Sequence, residues 1–370
     1  MHQGKAGIAF LVEAKYCLYR YDWADQTERS ATLNQVQLSK GQQAIAIGIV
    51  VLFFAIGGIV SVIMQQQQTK ELKSAPLAEI YKTYKTELIK EGPADPKYDN
   101  SYPSDTKPVT YMSDGAKLMG WLAIPEQPGA GGGKGAKGKK AKTAAAKAAA
   151  KTGGKSAKPA PTMKTLKRPA VVYLHGGTSL GAGDFDDAAR KFYESGFIVF
   201  MPSMRGENGN PGSSEMCFGE VKDAMAAVEY VSKLPEVDKN LIFVAGHSIG
   251  GTNAMLLAEV CPGIRKVAAC GGYPNMYHTG PYPDAPFKDE TKERFYRSPQ
   301  QFVSELKCPL LLLYGGDDKG DVMYAEQAEE MRREGLKELK KITVETIPHK
   351  DHFTALSPAI DSMIEFFRSN

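Results

Sequence analysis

A serine in a tight glycine turn, a cluster of aspartates and a late histidine occur in this chain in an order that can carry acyl transfer. The turn is Gly246-His247-Ser248-Ile249-Gly250, and it follows the apolar run 241–245. A serine hydroxyl is a weak nucleophile. It needs a neighbouring base and a sharp strand-to-helix turn that exposes its Oγ. Gly246 and Gly250 avoid side-chain clashes in such a turn, and Gly251 allows helix and strand to pack closely. A helix starting there points free N–H groups at a developing oxyanion, with the Ile249 N–H as the first donor. The second donor is expected from Gly177, in the His175-Gly176-Gly177 turn that ends the apolar run 171–174. Losing one such donor typically costs about 3–4 kcal/mol of transition-state stabilisation.

A second Gly-x-Ser-x-Gly surrounds Ser179, but more loop follows it (Gly181-Ala182-Gly183) before helical sequence resumes, so Ser248 is the expected nucleophile. Of six histidines, only His349 and His352 fall in the loop after the last strand, and His352, beside Phe353, is the expected base. The acid should lie just past 309–314, where Asp317, Asp318 and Asp321 are all available. Asp318, three residues past Gly315, is the expected partner of His352. Its carboxylate would fix the imidazole tautomer and stabilise the imidazolium. Arg205 follows the second parallel strand and reads as a salt-bridge anchor for its loop rather than as a substrate ligand. Nothing in this set calls for a cofactor, and no His/Cys/Asp cluster has metal-ligand spacing.

These residues need elements to hold them. After Arg168 the pattern predicts strands at 170–174, 197–201, 241–245, 266–270, 309–314 and 342–347. Helices are predicted at 184–195, 219–233, 250–260, 321–334 and 357–367. The strands are short, continuous apolar runs, as in a parallel sheet covered on both faces. Ahead of them, 109–112 and 117–124 alternate around Ser113-Asp114-Gly115 as a hairpin. The fold class is α/β, a doubly wound and mostly parallel sheet. Residues 273–305, with Tyr273, Tyr277, Tyr282, Phe287, Phe295 and Tyr296, read either as a short aromatic cover over the site or as packing at the domain edge.

Outside this domain, at 101–370, the chain changes character. Residues 44–64 form 21 positions without a charge, and at about 1.5 Å per residue they match a bilayer core of about 30 Å. They follow a tail, 1–43, that sets them too far in for a cleavable signal, so a single-pass membrane helix is expected. The flanking lysines and arginines are too evenly matched to orient it. Residues 65–100 read as a stalk with an amphipathic piece near 72–89. The tract 127–167 is rich in Gly, Lys and Ala and too poor in apolar bulk to fold alone. It reads as an insertion into a hairpin connection. From Gln127 to Arg168 there are eleven lysines, one arginine and no acid, so +12 of charge sits on a chain of net +4, leaving −8 elsewhere. That acidic remainder argues against specific nucleic-acid binding, while the tract itself suits an anionic lipid or polymer. Gly154-Lys155-Ser156 lacks the first glycine of a phosphate loop, since position 149 is Ala149, and no strand precedes it. The five cysteines, Cys17, Cys217, Cys261, Cys270 and Cys308, have no paired spacing and read as buried free thiols.

The order Ser248, Asp318, His352, with His175-Gly176-Gly177 upstream, resembles the α/β-hydrolase superfamily. VVYLHGG, MRGENGNPG, GHSIGG, KCPLLLLYGGDD and KDHF are similar to the catalytic domain of prolyl-oligopeptidase-like (S9) serine peptidases and to dienelactone-hydrolase-like esterases. The resemblance covers roughly residues 105–370 without the insert. It implies a serine hydrolase that cleaves an ester or peptide bond through an acyl-enzyme. Two departures bear on substrate: no stretch is repetitive enough for the propeller of prolyl oligopeptidases, and the dienelactone enzymes use a cysteine where this chain has Ser248. The competing reading is a catalytically silent binding or scaffold protein on the same fold.

Overall fold

The computed structural model describes residues 67–92, 102–126, 166–177, 179–277, 285–288 and 290–370, with single or grouped positions at 41, 52, 56–60 and 63–64. The chain divides into two units, Met1–Gln68 and Thr69–Asn370. In the first, residues 56–60 are helical. The tail before residue 44 and the basic tract fall almost wholly outside the described residues, as do 13 of the 21 positions of the expected span at 44–64. Among the described residues, no helix is long and apolar enough to cross a membrane.

The second unit is built on an eight-stranded sheet. Its strands are β1 (Lys107–Ser113), β2 (Ala116–Ala123), β3 (Arg168–Leu174), β4 (Ile198–Pro202), β5 (Val237–His247), β6 (Lys266–Cys270), β7 (Leu310–Gly315) and β8 (Ile342–Ile347). Their order is β1-β2-β4-β3-β5-β6-β7-β8. β1 and β2 form the expected hairpin, with Ser113 opposite Ala116. Asp114 and Gly115 take φ values of 47° and 79° at its tip, the left-handed pair that a two-residue hairpin needs. β2 pairs antiparallel with β4, and from β4 to β8 every pairing is parallel.

Alternation along the buried strands sorts the core into two layers. Val172, Leu174 and Phe200 face one layer, with Val221 of α3 (Gly219–Ser232), Met255 of α4 (Ile249–Val260) and Met331 of α6 (Lys319–Lys337). Val171, Tyr173 and Met201 face the other, with Phe192 of α2 (Arg190–Glu194) and Ile360 and Phe367 of α7 (Leu356–Arg368). The segment predicted as one helix over 184–195 begins as a π-helical turn, Asp184–Ala189, that runs into α2. The described cysteines, Cys217, Cys261, Cys270 and Cys308, are buried and free; Cys17 lies outside the described residues.

Two expectations need correction. Residues 69–92 are not a stalk. Helix α1 (Leu77–Thr83) buries Leu77, Ile80 and Tyr81 in the core, because the i, i+3, i+4 spacing gathers its three large apolar groups on one face. Tyr81 stacks on Phe218 with centroids 4.5 Å apart, and the Leu77 N–H donates to the Glu305 carboxylate at 3.0 Å. The chain then runs extended as a strap. Leu88 bridges Phe287, the N–H groups of Ile89 and Lys90 donate to the Pro286 carbonyl, and the Gly92 N–H donates to Ser213 Oγ. The basic tract is also not an insertion into a hairpin connection, because β4 lies between β2 and β3. Its two ends are nonetheless clasped together: the Arg168 guanidinium donates to the carbonyls of Pro125 and Glu126 at 2.7 and 2.8 Å.

The docked helix makes Leu77→Ala a core truncation. It should lower the unfolding free energy by about 2–5 kcal/mol in urea titrations, where a solvated stalk would lose under about 0.5 kcal/mol. The clasp makes the tract dispensable to the fold. Replacing residues 129–164 with a few glycines should leave the melting temperature unchanged or slightly raised, since closing a long loop costs little more than closing a short one. A fall of more than about 8 °C would show that the tract stabilises the domain.

Candidate active site

β5 ends at His247, and α4 starts at Ile249, so Ser248 alone makes the turn between them. It does so at φ 54° and ψ −122°, a left-handed value that serine adopts only when its surroundings force it. Its N–H donates to the Cys270 carbonyl at the end of β6, at 2.8 Å. Ile249 is the first residue of α4, so its N–H is one of the donors left free at a helix start. From the neighbouring strand β3, His175-Gly176-Gly177 arrives against the same point. A Cβ on Gly176 would lie 3.3 Å from the Ser248 Cβ, and Gly177 turns at φ 75°. Ile249 and Gly177 line one cavity together. The competing Ser179 sits exposed in the loop that leads to the π-helical turn.

His352 is brought to this edge by the loop after β8. Its Nδ1 bonds Asp321 Oδ1 at 2.8 Å, not Asp318. Asp318 is the N-cap of α6 and accepts the N–H groups of Gly320 and Asp321 at 2.8 and 3.0 Å. The expectation for Asp318 is therefore corrected to Asp321, which stands in the first turn of α6. Asp321 is fully buried, and its other oxygen accepts the Gly315 N–H at 2.8 Å. The hydrogen bond between His352 and Asp321 raises the His352 pKa above its ordinary value, against the opposing effect of burial, with the charges of Asp321, Asp318 and Asp351 adding to it. His349 is exposed and takes no part.

Three residues around the candidate site were not singled out as site residues from sequence. Gly271 follows β6 at φ 63°, and a Cβ there would lie 2.6 Å from His352 Cε1, so only glycine leaves room for the imidazole. The signal was present as Gly271-Gly272 directly after a strand. His247, beside the nucleophile in sequence, bonds the His352 carbonyl through Nε2 at 3.1 Å, with the two rings 4.9 Å apart. Burial lowers its pKa, which favours the neutral ring that donates this bond. Glu207 bonds His175 Nε2 at 3.0 Å in a buried pair. Burial works against charge on His175, but the Glu207 carboxylate outweighs it and pushes the pKa up to about 9. Arg205 pairs with Asp223, Glu215 and Asp114, so it anchors its loop. The described part of the segment 273–305 is packed into the domain, with Phe287, Phe295 and Phe302 all fully buried; Tyr282 lies outside the described residues.

The profile of the prolyl oligopeptidase family matches residues 184–367. The uncharacterized peptidase YtmA of Bacillus subtilis (strain 168) is 25% identical over 249 residues, covering 63% of this chain and 80% of that protein. The kynurenine formamidase of Salmo salar is 24% identical over 221 residues, 54% of this chain and 71% of that one. An acylaminoacyl peptidase of Pyrococcus horikoshii superposes on 71% of this chain with a TM-score of 0.52 at 15% identity. This chain spans only 41% of that peptidase's length. Sheet order, elbow and family match together make this chain a serine hydrolase of the α/β-hydrolase superfamily, with a domain like the catalytic domain of the prolyl oligopeptidase family.

Proposed function

We propose that Ser248, His352 and Asp321 act as a triad that cleaves an ester or peptide bond through an acyl-enzyme. The observation that carries this reading is the left-handed Ser248 at the start of α4, at the same sheet edge as the His352–Asp321 pair. Ser248 Oγ attacks the substrate carbonyl while His352 Nε2 takes its proton. Asp321 holds the Nδ1–H and stabilises the imidazolium. The N–H groups of Ile249 and Gly177 receive the oxyanion. His352 then protonates the leaving group, and a water activated by the same imidazole releases the acyl group. Peptidases and a formamidase among the relatives support small-molecule or peptide substrates. The uncharged run at 44–64 supports membrane anchoring, and the lysine-rich tract supports attraction to an anionic lipid or polymer surface.

The full chain in detergent should react with a fluorophosphonate probe, and Ser248→Ala should not. A folded wild-type protein that takes no label would sink the enzyme reading in favour of a binding role. Label that persists in Ser248→Ala would move the nucleophile elsewhere.

The acid is tested by contrast. Asp321→Asn should lower kcat about 10⁴-fold, the typical cost of a wrong tautomer. Asp318→Ala should instead cost about 0.5–2 kcal/mol of stability through the lost cap, with kcat changed less than about tenfold. The reverse order would restore Asp318 as the acid. Because His352 must be neutral to take the serine proton, and its pKa is raised, kcat/KM should fall as pH drops through a value above that of a free histidine. The residual activity of Asp321→Asn should lose that limb at lower pH.

A further inference from the structure

The cavity lined by Gly177 and Ile249 has a volume of about 290 Å³, at the lower limit of the about 300–1,000 Å³ typical of small-molecule sites. It adjoins the expected seat of the oxyanion, and among the described residues none of the His352 loop lines it. The leaving group must stand beside His352, which protonates it. The cavity therefore takes the acyl side of the substrate. Its lining carries the apolar Met204, Met216 and Pro286 besides Ile249. The two carboxylates there are engaged. Glu220 accepts from Ser214 Oγ and from the N–H groups of Glu215, Met216 and Phe218, and Glu207 holds His175 and the Met204 N–H. An apolar acyl group suits such a lining.

One wall comes from outside the sheet and its helices. Lys90 and Gly92 of the strap line the cavity. So does Pro286, whose carbonyl accepts the Ile89 and Lys90 N–H groups at 2.8 and 3.2 Å. Little apolar burial holds the strap in place. Ile89 is 68% exposed, and Lys90, Glu91 and Gly92 are exposed as well. Ordering a segment costs backbone entropy that burial commonly offsets, and here hydrogen bonds take that part. Thr86 Oγ1 donates to Glu215 Oε2 at 2.6 Å and accepts from Arg297 at 3.0 Å. At the other end the Gly92 N–H donates to Ser213 Oγ at 2.7 Å. What these bonds fix is an exposed run of chain at the edge of the cavity.

We infer that the strap, residues 86–92, is a specificity element that walls off the acyl pocket and limits it to short acyl groups. This rests on the acyl-transfer reading above. A long acyl chain would have to displace Lys90 and Gly92, and the hydrogen bonds that seat them, before its carbonyl reached Ser248. That displacement is a cost the short chain does not meet, so it separates the two substrates in kcat/KM.

The test compares p-nitrophenyl butyrate with p-nitrophenyl decanoate, using full-length protein in one detergent, so that partition of the longer ester cancels between proteins. Wild type should favour the butyrate at least tenfold in kcat/KM. Thr86→Ala combined with Ser213→Ala removes both side-chain tethers of the strap and leaves the lining residues in place. It should reduce the ratio at least fivefold, with faster hydrogen exchange over residues 86–92. If exchange is unchanged, or the double variant does not fold, Lys90→Gly decides. It removes the strap's one side chain on the wall, and the same fall in the ratio is expected. A wild-type ratio near one overturns the assignment. So does an unchanged ratio in Lys90→Gly, or in a double variant whose strap exchanges faster. If butyrate is still hydrolysed and Ser248 still labelled in that case, the triad reading stands alone. A wild type that turns over no ester and takes no label overturns both.

Discussion

The close approach of three strand ends to the first turn of one helix is the constraint on which this domain depends. A Cβ on Gly246 would overlap the carbonyl oxygen of Gly250, and one on Gly250 would overlap the carbonyl oxygens of Leu174 and His175. β3, β5 and α4 are thus packed backbone to backbone, and the Ser248 N–H ties the turn to β6 through Cys270. Holding a serine at φ 54° costs on the order of 1–3 kcal/mol. The surrounding contacts leave the residue no relaxed alternative. The same contacts fix where the Ile249 N–H, Gly177 and the His352 imidazole stand. One turn conformation therefore sets the places of the proposed nucleophile, of both proposed oxyanion donors and of the proposed base.

A second constraint builds the wall of the cavity. Arg297 is fully buried and bonded to Glu293 Oε2 at 2.5 Å. Its remaining donors reach the Glu215 and Met216 carbonyls and Thr86 Oγ1 at 2.7–3.0 Å, and its guanidinium stacks on Phe287 at 4.0 Å. Tyr84 bonds Glu293 from the same strap. A buried ion pair often adds little net stability, because desolvation offsets its attraction. What it does here is geometric. It joins the strap after α1, the loop after β4 and the segment before α5 (Thr291–Tyr296) at one point. Losing either charge would leave the other buried and uncompensated, so the three walls move together or not at all.

Most of the parallel domain was legible in the sequence, because strand runs, the elbow and the His175-Gly176-Gly177 turn are local patterns. Ser248 and His352 sit at such local junctions. The carboxylate partner of His352 did not, for a reason visible in the residues 318–321. Starting α6 at 321 leaves Asp318 free in a loop. The helix starts at Lys319, so Asp318 spends its carboxylate on the cap, and Asp321 turns inward under His352. An aspartate three residues ahead of another, at a helix start, is a capping signal that would have separated the two. The β2–β4 pairing and the docking of α1 depend on partners far away in the chain, and no local pattern marks them. Gly271 makes sense only beside an imidazole that arrives some eighty positions later.

Three histidines meet at this edge, and their surroundings push them apart. Glu207 keeps His175 charged, with a pKa of about 9, while burial keeps His247 neutral. The His352 pKa is raised by its hydrogen bond to Asp321, and its side chain is 16% exposed. Near neutral pH neither of the first two exchanges protons readily, so each can hold a fixed hydrogen bond: His175 to Glu207 behind the Gly177 turn, His247 to the carbonyl of His352. A shuttle, by contrast, needs a pKa close to the working pH. His352 is not held in such a fixed pair with a buried carboxylate behind the turn; it is bonded to Asp321 at the sheet edge of Ser248, where a base is proposed. The three environments thus push the imidazoles in different directions, and the fixed pairs of His175 and His247 leave His352 for the proposed role of base.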